Sequence, residues 1–493
     1  MQNAAAPQNA GVDQSGIMSN LRRLIWLYMV LLLAEGALRK WIVPQFSNPL
    51  LIVRDPVVIL IYILALRARV FPCGRFAISL GVIAVLSFLA GVLVLEPYIP
   101  WGVSALVTGY GFRANFFHLP LIFVIGAVLD NEDVEKVGWW MLLFMIPMGL
   151  LMVYQFKASP DAFINRTAGL GEAEQITAGS GKIRPPGSFS FASGPIYYVS
   201  GAAAFLLYGA LTRFPYKNWL LFGAGTAIVV AVAVSGSRGL VVSVIVVILT
   251  IGVIFLLRPQ SVNQFGRTLV LVVIAGLIIS HLPIFKEGAA VLSERFATAA
   301  EGTESTVAGG LIERTLSGFT EGFKLVGRVP FFGYGLGVGT NVGAQFLTGR
   351  AGFLLAEGEW ARVLLESGSL FGTAFLIWRI LLAAHLGYLS LRALNAGQML
   401  PILLFSAGFF VIANGPFGQP TSLGFAVVFG GLCLAATRSK GNAKEISARP
   451  AKPSPGTHGD QRMRGRSVYA DRLHGPRVTQ DRSNGSLDRR SPS

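Results

Sequence analysis

Charge is scarce in this chain. Asp, Glu, Lys and Arg make up 13% of its 493 residues, where a soluble domain carries about 25%. That shortage excludes an ordinary soluble enzyme. There are two cysteines, Cys73 and Cys433, and five histidines. So few, so scattered, exclude a disulfide framework and a zinc site; no metal or other cofactor is expected. The period-two alternation of a barrel strand is missing, as are nucleic-acid motifs. A cleavable signal peptide is not expected either: residues 1–20 are polar, Arg22 and Arg23 follow, and the first apolar block runs straight on as a signal anchor.

Apolar residues are plentiful instead, at 53%, with a mean hydropathy of +0.59. They fall in blocks near 24–38, 56–69, 76–95, 103–129, 137–156, 189–211, 218–234, 240–257, 268–285, 362–391, 398–413 and 421–437. Most are long enough to cross a hydrocarbon core of about 30 Å. Backbone groups at that depth must be satisfied within the segment, so each block predicts a helix. The expectation is an all-α polytopic membrane protein of about twelve transmembrane helices. Residues 1–20 form its tail and 21–437 its membrane domain. The basic segment 438–493, with 13 Lys/Arg against 5 Asp/Glu, accounts for half of the net charge of +16. Its Ser, Pro, Gly and Arg content predicts disorder, and its charge suits an anionic cytoplasmic leaflet, not nucleic acid.

Lys and Arg in short loops set orientation. Arg22 and Arg23, Arg67, Arg69 and Arg75, Arg213 and Lys217, Arg258 and Arg267, Arg392, and Arg438 and Lys440 share one side if both termini are cytoplasmic. The loops 96–102 and 414–420 hold no Lys or Arg. Two segments on the opposite side exceed a simple turn, 157–188 and the large periplasmic loop 286–361. Within the latter, Ile312, Leu316, Phe319, Phe323 and Val326 recur at helical spacing. This predicts an amphipathic helix lying along the outer membrane surface.

Several basic residues break the charge rule: Arg39, Lys40, Arg54, Arg113, Arg184, Arg238, Arg314, Arg328, Arg350 and Arg362. An arginine at mid-span costs about 2.5–3.5 kcal/mol on insertion scales. Several on one face suggest a shared anionic ligand, since the planar guanidinium fork suits phosphate oxygens. Pairing with nearby acids is the other reading, which Glu35 near Arg39 and Asp55 beside Arg54 allow. Residues 357–372 place Glu359, Arg362 and Glu366 on one helical face, with Glu357 just before. Such a carboxylate at a dry boundary suits a general base; a salt-bridged helix start is the alternative. The glycine run from Phe332 to Gly339 predicts a flexible turn, and Asp130 to Asp133 a solvated one.

Four stretches together resemble the bacterial O-antigen ligase and polysaccharide polymerase family. They are Ser235-Gly236-Ser237-Arg238-Gly239, Arg184-Pro185-Pro186-Gly187-Ser188-Phe189, Pro330-Phe331-Phe332-Gly333-Tyr334-Gly335, and Glu357-Gly358-Glu359-Trp360-Ala361-Arg362. The resemblance spans roughly residues 20–437 and implies a C-type glycosyltransferase-like architecture in the bacterial inner membrane. Its donor would be a polyprenyl-diphosphate-linked glycan, its other partners membrane lipids and polysaccharide-assembly proteins. Ligases of the family carry a histidine in the large loop, about eleven residues before a glycine. Here Glu357 stands eleven before Gly368, that loop has no histidine, and the glycine spacing after Gly368 departs by one residue. The departures argue against a ligase and favour a polymerase or an uncharacterised branch of the family. In the polymerase reading Arg238, Arg113, Arg184, Arg54 and Arg314 bind the diphosphate. Glu357 or Glu359 orients or deprotonates the acceptor hydroxyl, and Arg362 fixes the carboxylate.

Overall fold

The computed structural model describes residues 9–168, 177–179, 181–212, 216–258, 286–288, 290–291, 293, 318–350, 352, 354–356 and 358–438. They are mostly helical. In chain order the main helices are α1 (Asn9–Ala37), α2 (Asp55–Arg67), α3 (Arg75–Leu95), α4 (Trp101–Phe112), α5 (Leu121–Val128), α6 (Asn131–Lys157), α7 (Ser193–Leu211), α8 (Asn218–Val234) and α9 (Arg238–Leu257). After the large connection come α10 (Asn341–Thr348), α11 (Glu359–Ser367), α12 (Thr373–Asn395), α13 (Leu400–Asn414) and α14 (Pro420–Ala436). Among the described residues, eight helical stretches are long and apolar enough to cross a membrane, and α8, α13 and α14 are shorter apolar helices. The chain is therefore a multi-pass, all-α membrane protein. The strands among the described residues are one small antiparallel pair, Thr177–Gly179 with Lys182–Ile183.

Eleven of the twelve apolar blocks coincide with helices; the ninth, 268–285, lies outside the described residues. The first helix begins at Asn9, well before residue 21. Polar composition did not end it because Ile17 and Met18 still pack on the core. The segment from Asp130 is a helix cap, not a loose turn. Asp130 accepts from the Asp133 amide at 2.9 Å, Asp133 returns the bond, and Arg22 pairs with both carboxylates.

Helix α14 is buried along nearly its whole length. Small residues allow this. Gly430 and Gly431 face Ile122 and Ile125 of α5, and Gly408 of α13 faces the Phe429 ring. Close backbone approach of this kind holds helices together in lipid, where the hydrophobic effect gives no net drive.

Contacts sort the helix ends into two sets. At the first, Arg438 donates to the carbonyls of Gly126 and Ala127, Tyr208 to Glu135, and Arg258 to the Asn395 carbonyl. At the second, Ser193 donates to Gln419, Arg54 to the Pro420 carbonyl, Trp360 to the Ala413 carbonyl, and Lys182 pairs with Glu287. Arg258 thus sits at the first end and Glu287 at the second.

Among the described residues three π turns interrupt the regular helices: Leu38–Ile42, Arg113–Phe117 and Gly368–Gly372. Such turns mark functional sites unusually often. The second is followed by Pro120, which has no N–H to offer the Phe116 carbonyl. The break frees the Phe117 carbonyl, which accepts from Tyr62 Oη at 2.7 Å.

Candidate functional site

Two buried polar networks lie at the second end, joined by the π turn Arg113–Phe117. The first gathers the end of α1, the start of α2 and that turn. Glu35 takes Arg39 on one carboxylate oxygen and Arg54 on the other, at 3.5 and 3.2 Å. Arg39 also donates to Ser47 and to Ser190, beyond the Arg184 motif. Arg54 Nη1 donates to Tyr28 Oη at 3.3 Å.

From Tyr28 the chain runs to His118 Nδ1 at 3.1 Å, and from His118 Nε2 to Asp55 Oδ1 at 3.0 Å. A carboxylate has only acceptors, so Nε2 carries the imidazole proton and Nδ1 accepts from the tyrosine. Asp55 also takes both ends of the Arg113 guanidinium fork. Arg54 was expected to bind the diphosphate, with pairing to Asp55, its sequence neighbour, as the other reading. Instead it reaches Glu35 on α1 and leaves Asp55 to Arg113, because adjacent residues on a helix do not face each other.

Lys40 completes this layer. Wholly buried, it donates to the Gly187 carbonyl at 2.6 Å and lies 4.3 Å from the Trp41 ring centroid. Arg39, Arg54 and Arg113 therefore pair with two carboxylates, Glu35 and Asp55, while Lys40 is held by the Gly187 carbonyl. The layer carries a formal excess of two positive charges. Arg113 is the thirteenth residue of the stretch Trp101–Val128. Twelve residues separate it from Trp101, about 18 Å of helical rise, so the layer is recessed well below the end of that stretch.

The second network is the glutamate–arginine segment. Glu359, Arg362 and Glu366 share one face of α11, as their spacing predicts. Arg362 donates to both oxygens of Glu359 at 3.0 Å, to Glu366 at 2.7 Å and to Asn115 at 2.7 Å. Arg379, about two turns into α12, donates to Glu359 at 2.9 Å and to the end carbonyls of α13. Glu366 also accepts from Asn115 and from the Gly339 amide. Two carboxylates and two guanidiniums balance, and all are buried. This is the salt-bridged helix start, extended by a second arginine.

The glycine run forms the floor of the connection and is not a flexible turn. Residues 335–340 are buried. The amides of Tyr334 and Gly335 donate to the carbonyls of Leu365 and Glu366, at the end of α11. In return the amides of Ser369 and Leu370 donate to the carbonyls of Pro330 and Phe331. Gly333 and Gly368 meet at the centre of this exchange with φ of +77° and +76°. The glycines are there because two backbones cross at contact distance, a demand that composition alone hides.

Glu357 and Arg314 lie outside the described residues. Arg184 follows the small strand pair and is half-buried. Arg238 opens α9, half-buried, after Gly236 at φ +55° and the Ser237 cap. Of the expected amphipathic helix, residues 318–325 are helical. Phe319 and Phe323 lie 4.7 and 5.4 Å from the Trp360 ring. Sequence reasoning passed over His118 among five scattered histidines and missed Tyr28, Asn115 and Arg379. An arginine inside an apolar block was the one available signal, because such a charge demands a partner.

Fold and site define a multi-pass helical membrane protein with a buried, cation-rich polar layer. No protein-family model matches the chain, and no curated protein matches it.

Proposed function

We propose that the chain is a polysaccharide polymerase of the O-antigen ligase-like kind. In this reading about twelve spans cross the bacterial inner membrane with both termini cytoplasmic, and the second end faces the periplasm. A hydroxyl of one lipid-linked repeat unit attacks the anomeric carbon of another. The new glycosidic bond forms as the bond to the lipid diphosphate breaks. The arginines' task is to hold the diphosphate and the charge that develops on it.

The observation that carries this reading is the excess of cations in the recessed layer of Arg39, Lys40, Arg54 and Arg113. A diphosphate diester brings two negative charges, the formal complement. Arg238 and Arg184 come from segments at the same end. The depth of Arg113 favours, as a second reading, a transporter of the same lipid-linked sugars, whose site lies near the midplane. A ligase differs only in its acceptor.

Arg238→Ala is expected to reduce polymer yield and chain length in a strain lacking the native copy, by about a hundredfold in transfer rate. The check is gel sizing of the surface polysaccharide at matched membrane levels of the variant. Unchanged yield and length would remove Arg238 from the donor site.

A further inference from the structure

We propose that Asp55 is the carboxylate that receives the acceptor's proton, and that the donor's own diphosphate frees it to do so. This rests on the polymerase reading.

Four carboxylates occupy the two networks, and their surroundings separate them. Glu359 and Glu366 have side-chain exposures of 2% and 0%, and Glu35 of 4%. Asp55 stands at 17%, beside Arg113 at 11%. Glu359 is gripped on both oxygens by Arg362 and again on one by Arg379. Each oxygen of Glu366 has a donor, and so has each oxygen of Glu35. The Asp55–Arg113 pair is the most exposed of these carboxylate–arginine pairs.

If the pair separates, Asp55 keeps a holder, while Arg113 must also leave the Leu51 carbonyl, 2.6 Å from its Nη2. Arg113 holds Oδ2 through Nε, and its Nη2 lies 3.1 Å from Oδ1. The other holder of Oδ1 is His118, itself fixed by Tyr28 and Arg54. When Arg113 turns to a phosphate, His118 keeps Asp55 in place and Oδ2 is open to a hydroxyl. The acceptor O–H then gives its proton to Oδ2 while its oxygen bonds to the anomeric carbon. The carbon–oxygen bond to the diphosphate breaks, and its electron pair stays on the phosphate oxygen beside Arg113. After the lipid diphosphate leaves, Asp55 passes the proton to water and the ion pair re-forms. Asp55 is the catalytic residue here and His118 a positioning residue. Because the carboxylate opens only when a donor is bound, an empty site does not activate water.

The test uses the full chain in lipid nanodiscs with a polyprenyl-diphosphate-linked oligosaccharide, measuring binding and transfer separately. Asp55→Asn is expected to slow transfer by about a hundredfold or more while binding the donor at least as tightly, since Arg113 no longer has a carboxylate to leave. Asp55→Glu keeps the charge and serves if the amide variant does not fold. It is expected to lower kcat at least tenfold with KM for the donor unchanged. Transfer within threefold of the native rate in either variant overturns the proposal, as does loss of donor binding in Asp55→Asn. A native protein that neither binds nor transfers the donor overturns the polymerase reading itself.

Discussion

Replacing Arg362 with methionine is expected to destabilise the protein by about 3–5 kcal/mol, the usual cost of removing one partner from a buried ion pair. The side chain holds Glu359, Glu366 and Asn115 at once. Without it Glu359 keeps Arg379, but Glu366 keeps only Asn115 and the Gly339 amide. A buried carboxylate without a counter-charge is then the main defect. The double variant Arg362→Met/Glu366→Gln is expected to recover part of the loss, because the amide needs no counter-charge. Thermal unfolding midpoints in detergent, with yields from the membrane, check both. An unchanged midpoint for the single variant would mean that water reaches this cluster.

Gly368→Ala is expected to do comparable harm by a different route. At φ +76° a side chain costs about 1–3 kcal/mol in backbone strain. In addition, a methyl there would overlap the Phe331 carbonyl and the Gly333 amide. Overpacking of this kind costs about 1–3 kcal/mol more. Gly333→Ala meets the same crossing from the other side, 2.5 Å from the Glu366 carbonyl. The control is Gly349→Ala. That residue closes α10 at φ +72° with nothing within 4 Å of the added carbon, so only the strain applies. Midpoints for Gly368→Ala and Gly333→Ala well below that of Gly349→Ala are predicted. Equal midpoints would mean that the two backbones do not cross so closely.

The two variants act on one assembly. Glu366 offers its carboxylate to Arg362 and its backbone carbonyl to Gly335. The charged cluster and the glycine crossing are therefore two faces of the end of α11. Pro330 to Gly335 and Leu365 to Leu370 make the crossing, and Arg362 ties into it through the Glu366 side chain, structural roles that need no reference to chemistry. Their presence alone is thus evidence for the architecture of the second end more than for the reaction.

What was legible in the sequence follows from which forces are local. Apolar blocks gave the helices because a lipid-spanning backbone has no partner but itself. Glu359, Arg362 and Glu366 were legible because helical periodicity places them on one face. Arg379 was not, since it stands 20 residues from its partner Glu359 and reaches it only because Gly368 breaks the helix between them. His118 appeared isolated for the same reason: its partners Tyr28 and Asp55 come from α1 and α2. Adjacency misled at Arg54 and Asp55, which belong to different carboxylate–arginine pairs. Composition misled at the glycine run, where glycine serves close approach and not freedom of movement.

The central claim is that cations at the second end receive a lipid diphosphate so that glycan chains grow. The most direct test is to remove the chain from its native cells, then size the lipid-linked glycans and assign them to a membrane face. The account predicts single repeat units accumulating on the outer face, with long chains lost. Long chains still made but stranded on the carrier would mean a ligase, and repeat units trapped on the cytoplasmic face would contradict any enzyme of this kind and leave a transporter.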